Sequence, residues 1–449
     1  MRRLVLLVLL VVAWACTENA TSPAVCPNFC PGDSIAIRDT ILTSIIDRDS
    51  SFRGYLPSYG AEAMTAADVP GVIDSRAFFT TDTVVRRVTP NVGDTTTVPI
   101  NVDSSRVRFI IGRRPKNTTN LQLRLFRLPV TADSTSDFAS LDPDFTATPV
   151  ATLNVSDLLA LPAITDSQTI VRWDSIWGTQ STDSIRVDAA GHVLQMHINP
   201  SDTTLTTLAV YFKLDTLQAP FSVADSGRSA WGVRVAADSL ASVILGASNS
   251  GGTMPLIRWY FHYTIPDTVS ATPDSVVTAT RVPTPRFHNF VFNPPTPPLD
   301  SNLAVGGVPS ARALLRVALP AFLHDSIDVV RATLVLVPVN AVPGAPSDSF
   351  QILARAIAAD LGAKSPLSQN SDLSGMKIIH PGSPDTVRIE LTTMVRAWSL
   401  DTTLVTAFIM GQLPEATSYT EIRFYSSRAP AFRPALHVTY VKRFRFGEL

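Results

Sequence analysis

Two short stretches of this 449-residue chain carry side chains suited to ligand chemistry. The first is an acidic loop with Asp133, Asp137, Asp142 and Asp144. Carboxylate oxygens supplied by loops are the ligands that calcium prefers. The spacing differs from that of an EF-hand, and a solvated cluster of turn residues explains the same pattern. Calcium held by these four aspartates is therefore one hypothesis, and a chain without any cofactor is the other.

The second stretch, residues 172–177, contains Trp173 and Trp177. Four residues apart on a strand, the two indole rings would lie on the same face. Exposed aromatic rings offer surfaces on which sugar rings stack, but tryptophan is also commonly buried in protein cores. The pattern predicts either a carbohydrate-binding pair or two core side chains.

Motifs for catalysis are missing from the sequence. Only two of the seven histidines, His192 and His197, lie close together, and five residues apart on a strand they would face opposite sides. The segment 246–250 lacks the closing glycine of a nucleophile elbow. Glutamates are few, which argues against the carboxylate pair of a glycosidase, and there is no glycine-rich phosphate loop. The sequence predicts that the protein is not an enzyme.

The three cysteines, Cys16, Cys26 and Cys30, all lie near the N-terminus. Cys16 follows about twelve apolar residues, 4–15, which are preceded by two arginines. A charged start, a short apolar run and a small residue before the cut site make a secretory signal. With the cysteine directly after it, the segment resembles a bacterial lipoprotein signal. A plain secretory signal and an uncleaved anchor are the alternatives, although a spanning helix needs about twenty apolar residues.

The lipoprotein resemblance implies that residues 1–15 are a signal peptide and that Cys16 is lipidated and becomes the mature N-terminus. The protein would then be exported and anchored by lipid to the cell envelope, at the outer membrane. Cys26 and Cys30 would remain as a pair, and an oxidising compartment favours a small local disulfide between them. Residues 16–35 otherwise form a polar, proline-containing linker.

Composition favours strands over helices. The net charge of −1 argues against a nucleic-acid partner, which would call for a basic excess. Threonine, valine and 34 prolines suit strands and turns rather than long helices. Period-two alternation of apolar residues predicts strands at 121–128, 332–338, 386–391 and 435–440. Short helical turns are predicted at 155–161, 353–361 and 392–398.

An internal repeat sets the predicted domain plan. Residues 243–261 match residues 422–440 without a gap, at an offset of 434 − 255 = 179. Both copies contain a strand, a serine-containing loop, a proline and a second strand. We therefore predict an all-β fold of two tandem antiparallel β-sandwich domains, jelly-roll-like, over residues 36–266 and 272–445.

The C-terminal copy also carries motifs of a known family. Its segments Leu303–Gly307, Arg312–Val317, Phe424–Arg428 and Pro434–Tyr440 follow the strand pattern of that family. The pattern resembles the DNRLRE-type domain of bacterial surface proteins, which is related to an alginate-associated group of carbohydrate-binding modules. The resemblance implies a β-sandwich and says little about a ligand.

Together these features predict a non-catalytic exported lipoprotein that serves as a binding or structural module of the cell envelope. The alternatives are a carbohydrate-binding surface protein and an accessory subunit of a cell-surface complex or appendage. The expected partners are the membrane, through the N-terminal lipid, and a polysaccharide or an envelope protein. Nucleic acid is not expected.

Overall fold

The computed structural model describes residues 37–90, 96–165, 183–198, 206–248, 252–265, 274–324, 327–345, 348–382 and 385–442. Cys16, Cys26, Cys30, Trp173 and Trp177 lie outside these residues. Almost all regular structure is antiparallel β, which confirms the predicted all-β fold. No helix among the described residues is long and apolar enough to cross a membrane.

Twenty-six strands and three α-helices are described. The strands are β1 (Arg38–Leu42), β2 (Ile46–Arg53), β3 (Ala63–Val69), β4 (Ile73–Thr81), β5 (Arg87–Val88), β6 (Val98–Pro99), β7 (Asn101–Arg113), β8 (Gln122–Leu128), β9 (Ala151–Asn154), β10 (Ser184–Val187), β11 (Val193–Ile198), β12 (Thr206–Leu214), β13 (Ala230–Ala236), β14 (Ala241–Gly246), β15 (Leu256–Ile265), β16 (Ser275–Arg281), β17 (Pro285–Asn293), β18 (Leu303–Gly306), β19 (Ala311–Val317), β20 (Ile327–Leu336), β21 (Phe350–Ala356), β22 (Ser374–Ile379), β23 (Val387–Glu390), β24 (Ala407–Leu413), β25 (Glu421–Phe424) and β26 (Ala435–Lys442). The helices are α1 (Phe138–Thr146), α2 (Val155–Ala160) and α3 (Thr392–Leu400).

The strands form two units. In the N-terminal unit, thirteen strands make one continuous sheet with β10-β11-β12-β7 at one end and β4-β13-β8-β9 at the other, joined through β14 and β3. The C-terminal unit is a sandwich of a four-stranded sheet, β1-β26-β20-β23, and a seven-stranded sheet built around β24, β19 and β18. Buried side chains from both of its sheets pack together, among them Leu334, Val438, Leu315 and Phe408.

The two units repeat the same pairing order. In the N-terminal unit β3 pairs with β4 and β14, β4 with β13, and β15 with β7. In the C-terminal unit β18 pairs with β19 and β25, β19 with β24, and β26 with β20. The matched segments 243–261 and 422–440 thus occupy equivalent strands, and Ile257, Trp259, Leu436 and Val438 are all buried.

Two strands of each unit come from a segment that lies, in the sequence, next to the other unit. Strand β1 pairs with β26 and β2 with β19, so residues 38–53 belong to the C-terminal unit. Strand β16 pairs with β15 and β17 with β4, so residues 275–293 belong to the N-terminal unit. We name this arrangement the reciprocal strand exchange. Strand pairing therefore divides the chain differently from the predicted boundaries of 36–266 and 272–445.

The predicted strands and helices agree with the structure, with one exception. The four predicted strands correspond to β8, β20, β23 and β26, and the helices at 155–161 and 392–398 correspond to α2 and α3. The helix predicted at 353–361 is wrong, because Phe350–Ala356 is strand β21. Its alanines occupy alternate buried positions facing the core, with Arg355 between them on the other face.

Candidate functional site

The outer face of the N-terminal sheet carries a group of connected polar side chains with cations beside it. Strands β10, β11, β12, β7 and β15 lie side by side here. Residues such as Phe109, Phe212 and Trp259 point into the core. Because side chains alternate along a strand, their neighbours Arg108, Tyr211 and Arg258 point to the opposite face. We name the surface formed by these outward residues of the five strands the outer face.

A chain of hydrogen bonds crosses four strands of the outer face. The Tyr211 hydroxyl donates to Gln195 Oε1 at 2.6 Å, and Gln195 Nε2 donates to Asp183 Oδ2 at 2.7 Å. Asp183 Oδ1 lies 2.6 Å from His197 Nδ1. At the other end, Arg108 on β7 hydrogen-bonds to Tyr211. These contacts fix the orientation of five side chains, which we name the polar chain.

Within the polar chain, burial has its largest effect on Tyr211. It raises the pKa of the Tyr211 phenol well above its usual value, against the opposing effect of Arg108. Tyr211 therefore remains a neutral hydrogen-bond donor at physiological pH. Asp183 is almost fully buried, with 3 % of its side chain exposed, whereas His197 is 32 % exposed. Asp183 thus orients the imidazole ring from its buried side. His197 Nε2 is the atom of this pair that can donate a hydrogen bond to a ligand or accept one from it.

Cations form a row beside the polar chain. Arg258 on β15 stands directly opposite Arg106 on β7, which stands directly opposite Lys213 on β12. Tyr260 and His262 continue along β15 on the same face, and His262 Nδ1 lies 2.7 Å from Asp103 Oδ1. The outer face thus combines hydrogen-bonding groups, a half-buried tyrosine ring and positive charge on adjacent strands.

Three of the four aspartates of the predicted calcium site have other partners in the structure. Asp133 Oδ1 accepts hydrogen bonds from the amide and hydroxyl of Thr135, which closes a turn. Asp137 caps helix α1 by accepting from the Ser140 amide, and these local bonds lower the pKa of both carboxyls. Asp142 is 2.7 Å from Arg76 Nη1. Among the described residues, no group of three or more His, Cys, Asp or Glu side chains could hold a metal ion.

Asp144, the fourth predicted calcium ligand, lies within α1 next to Pro143. It belongs to no such metal-binding group either. The acidic loop therefore has a structural explanation in the turn, the helix cap and the ion pair. Calcium at this loop stays a prediction that no contact among the described residues favours.

The predicted tryptophan pair, Trp173 and Trp177, lies outside the described residues, but the described chain ends beside the outer face on both sides of it. Ile164 packs against the side chains of Ile185 and Tyr211, and its amide donates to the Ile185 carbonyl at 2.8 Å. Asp183, at the other end, is part of the polar chain. The described residues on either side of the segment with the two tryptophans thus lie at the outer face.

A cleft of about 220 Å³ lies between the two units. Its walls include Phe292 and Tyr419, whose ring centroids are 6.3 Å apart, together with four residues of the proline-rich connector 294–297. The charged groups at its rim are engaged with each other: Glu421 forms ion pairs with Arg423 at 2.7 Å and with Arg53 at 2.6 Å. Because its polar groups serve the junction of the units, we favour the outer face as the functional site.

Sequence reasoning missed the outer face, although a signal was present. Arg106 and Arg108, Gln195 and His197, and Arg258, Tyr260 and His262 are each two residues apart. Such spacing within an alternating strand places polar side chains together on the side away from the core. Comparisons with known proteins add no assignment: no protein-family model matches the chain, and no curated protein is significantly similar to it.

Proposed function

We propose that the protein is an exported, lipid-anchored binding module of the cell envelope that recognises carbohydrate through the outer face and performs no catalysis. The observation that carries the proposal is the polar chain from Arg108 to His197. Sugars present many hydroxyl groups in fixed directions, and side chains held in place by each other bind them at a low entropic cost. Adjacent strands also give a broad surface on which a linear polymer can lie.

The aromatic groups support the same proposal. Tyr260 lies on the outer face, half-buried, next to Arg258 and His262. In the sequence, the segment that contains Trp173 and Trp177 lies between Ile164 and Asp183, two described residues of this face. Large aromatic rings bury much apolar surface on contact with a ligand and keep a polar edge for hydrogen bonding. We propose that these residues stack on sugar rings while the polar chain orders the hydroxyl groups.

Export and anchoring rest on the sequence features at Cys16. A bacterial lipoprotein signal would lipidate this cysteine and tether the mature chain through residues 17–36. More than one acyl chain makes such anchoring stable. The Cys26–Cys30 pair would then lie in the tether. Membership in the DNRLRE-type family is a further proposal for the C-terminal unit, and it is compatible with a role at the bacterial surface.

The binding proposal is tested by calorimetric titration of the full chain, in detergent, against purified neutral and acidic polysaccharides. We expect one class to bind, with the dissociation constant raised about tenfold in Tyr260→Ala, Gln195→Ala, Trp173→Ala or Trp177→Ala. Tyr425→Ala is the matched control, because this half-buried tyrosine packs on Phe432 in the other unit. Equal losses in the control, or no binding by any polysaccharide, would refute the proposal.

The non-catalytic part is tested with the polysaccharide that binds. Its chain length should stay constant after prolonged incubation, as measured by size-exclusion chromatography. Release of shorter chains, lost in His197→Ala, would show instead that the Asp183–His197 pair acts in proton transfer. Anchoring is tested in bacterial cells, where radioactive palmitate should label the native chain and not Cys16→Ser. Equal labelling of both would place the lipid elsewhere.

A second candidate function, an accessory subunit of a surface complex, is favoured by one observation. Met376 and Ile378 on β22 are 59 % and 49 % exposed, and Leu413 on β24 is 40 % exposed. Ile378 and Leu413 both align with Gln351 of β21, so the three side chains lie on one side of the sheet. Exposed apolar patches mark contact sites. If this patch joins subunits, Met376→Lys with Ile378→Lys should dissociate complexes observed by sedimentation.

A further inference from the structure

The cation row on the outer face concentrates positive charge on adjacent strands. Arg258, Arg106 and Lys213 are directly opposite one another in the strand register. Neighbouring strands are about 4.8 Å apart. Like charges at directly opposite positions destabilise a sheet. Arg108 lies one register step further along β7, close enough for its charge and that of Arg258 to repel each other.

Two of these arginines are partly withdrawn from solvent. Burial lowers the pKa of the Arg108 guanidinium, with Arg258 acting in the same direction, and burial also lowers the pKa of Arg258. Arg108 Nη2 donates to the carbonyl oxygens of Gly252 at 3.1 Å and Met254 at 3.2 Å. Its Nε atom is buried without an acceptor in the described part of the chain. The charge of Arg108 is thus held largely by neutral partners.

Several carboxylates of the described residues lie near the row. Asp188 lies at its Lys213 end, in the turn before β11, where its Oδ1 accepts from the His192 amide at 2.8 Å. Burial lowers the pKa of His192, and nearby Arg106 and Lys213 lower it further while Asp188 opposes them. His192 is therefore neutral at physiological pH. Asp183, another acid on this face, is bonded to Gln195 and His197, and Asp103 contacts His262.

We propose that Arg106, Arg108, Lys213 and Arg258 form a binding site for a phosphate monoester. Near neutral pH this group carries between about −1.5 and −2 charges and three acceptor oxygens. It matches several neighbouring cationic donors better than a carboxylate, which carries one charge. Guanidinium groups present two parallel donors to such oxygens, and lysine adds a point charge. The inference rests on the proposed function, because a phosphate on a sugar would place the polar chain against the sugar hydroxyls.

Calorimetric titration of the full chain tests the site, with inorganic phosphate, a hexose phosphate, the unphosphorylated hexose and glucuronate as probes. We expect the hexose phosphate to bind at least about tenfold more tightly than glucuronate or the hexose. Arg258→Gln and Lys213→Gln should each weaken its binding by about tenfold. Arg388→Gln is the control, since Arg388 is an exposed strand arginine of the C-terminal unit. Unchanged melting temperatures would show that the variants are folded.

The outcomes separate the two proposals and the two sources of phosphate. Hexose phosphate binding tighter than inorganic phosphate supports a phosphorylated sugar, whereas the reverse order supports the site with free phosphate as its ligand. Glucuronate binding as tightly as the hexose phosphate overturns the assignment to phosphate. Polysaccharide binding without any response to the phosphate probes overturns this inference and leaves the proposed function standing. Failure of all probes and all polysaccharides overturns both.

Discussion

Asp348 shows how one residue links the two units and couples their stability to pH. Its Oδ2 accepts from the Tyr419 hydroxyl at 2.9 Å, and the carboxyl also hydrogen-bonds to Ser242 of the N-terminal unit. The residue is 2 % exposed, and burial raises the pKa of its carboxyl in spite of these donors and nearby Arg113. A raised pKa in the folded state means that folding favours the protonated form.

The sign of the pH dependence follows from that shift. The contribution of Asp348 to the free energy of unfolding is complete below its unfolded pKa and is lost as pH rises through the raised folded value. Asp348→Asn keeps an acceptor for Tyr419 and removes this titration. We therefore expect the free energy of unfolding, measured with urea, to fall less in the variant than in the native chain between about pH 4 and pH 7. The exposed Asp372→Asn should follow the native curve, and a parallel curve for Asp348→Asn would contradict the assignment.

Asp137 provides a second test at the residue scale. It caps α1 through a reciprocal pair of bonds with Ser140. Loss of such a cap leaves a backbone donor of the first turn unpaired, so Asp137→Ala should lower the free energy of unfolding measurably. Asp144→Ala, within the same helix, should have a much smaller effect. We expect calcium to change neither result, and a melting temperature that rises with calcium only in the native chain would support the calcium hypothesis.

At the scale of elements, the approach of β22 to β23 depends on a glycine. A methyl group on Gly375 would clash with the carbonyl oxygen of Glu390 on β23 and with Ile389. The seven-stranded sheet therefore meets the four-stranded sheet closely at this point. Gly375→Ala should destabilise the chain by about 1–3 kcal/mol, since overpacking forces the backbone to shift. Gly112→Ala, where the nearest atom is 3.8 Å away, should change stability little. Similar effects at both positions would contradict this account.

Elements were predictable from the sequence where one face of a strand is buried. In β8, Leu123 and Leu125 are buried while Arg124 between them is not, which is the alternation that the sequence shows. Strand β21 was missed because its alanines also suit a helix, and only packing decided between the two. The polar chain could not be predicted from the sequence, for a different reason. Arg108, Tyr211 and Gln195 meet through strand register, and no local pattern specifies which strands pair.

The reciprocal strand exchange could not be predicted for the same reason, because no local pattern specifies which strands pair. Segments 38–53 and 275–293 each precede one copy of the repeat, and each was assigned to the copy that follows it. Their local patterns fit either sheet, because the equivalent strands β4 and β19 offer the same pairing edge in both units. The predicted boundaries followed chain proximity, whereas strand pairing follows register. The repeat thus revealed the architecture of the units but not the route of the chain between them.

For the whole molecule, the exchange predicts that the C-terminal unit needs its N-terminal strands. A chain that lacks residues 17–53 loses β1 and β2, which leaves β26 and β19 without partners on one side. We expect amide protons of β19 and β26 to exchange much faster in this variant. A chain that lacks only residues 17–36 is the control and should keep native protection. Native protection in both would show that the two strands are dispensable.

The exchange also orders the events of biosynthesis. During synthesis β1 and β2 emerge before the rest of the sheets, yet β19 and β26 follow about 260 and 390 residues later along the chain. The N-terminal unit has all its described strands once residue 293 has passed, whereas β1 must wait for β26, the last strand. A copy cut short before residue 435 therefore retains β1 without its partner strand. Loose segments are preferred by proteases, so truncated copies are open to degradation while finished ones are protected.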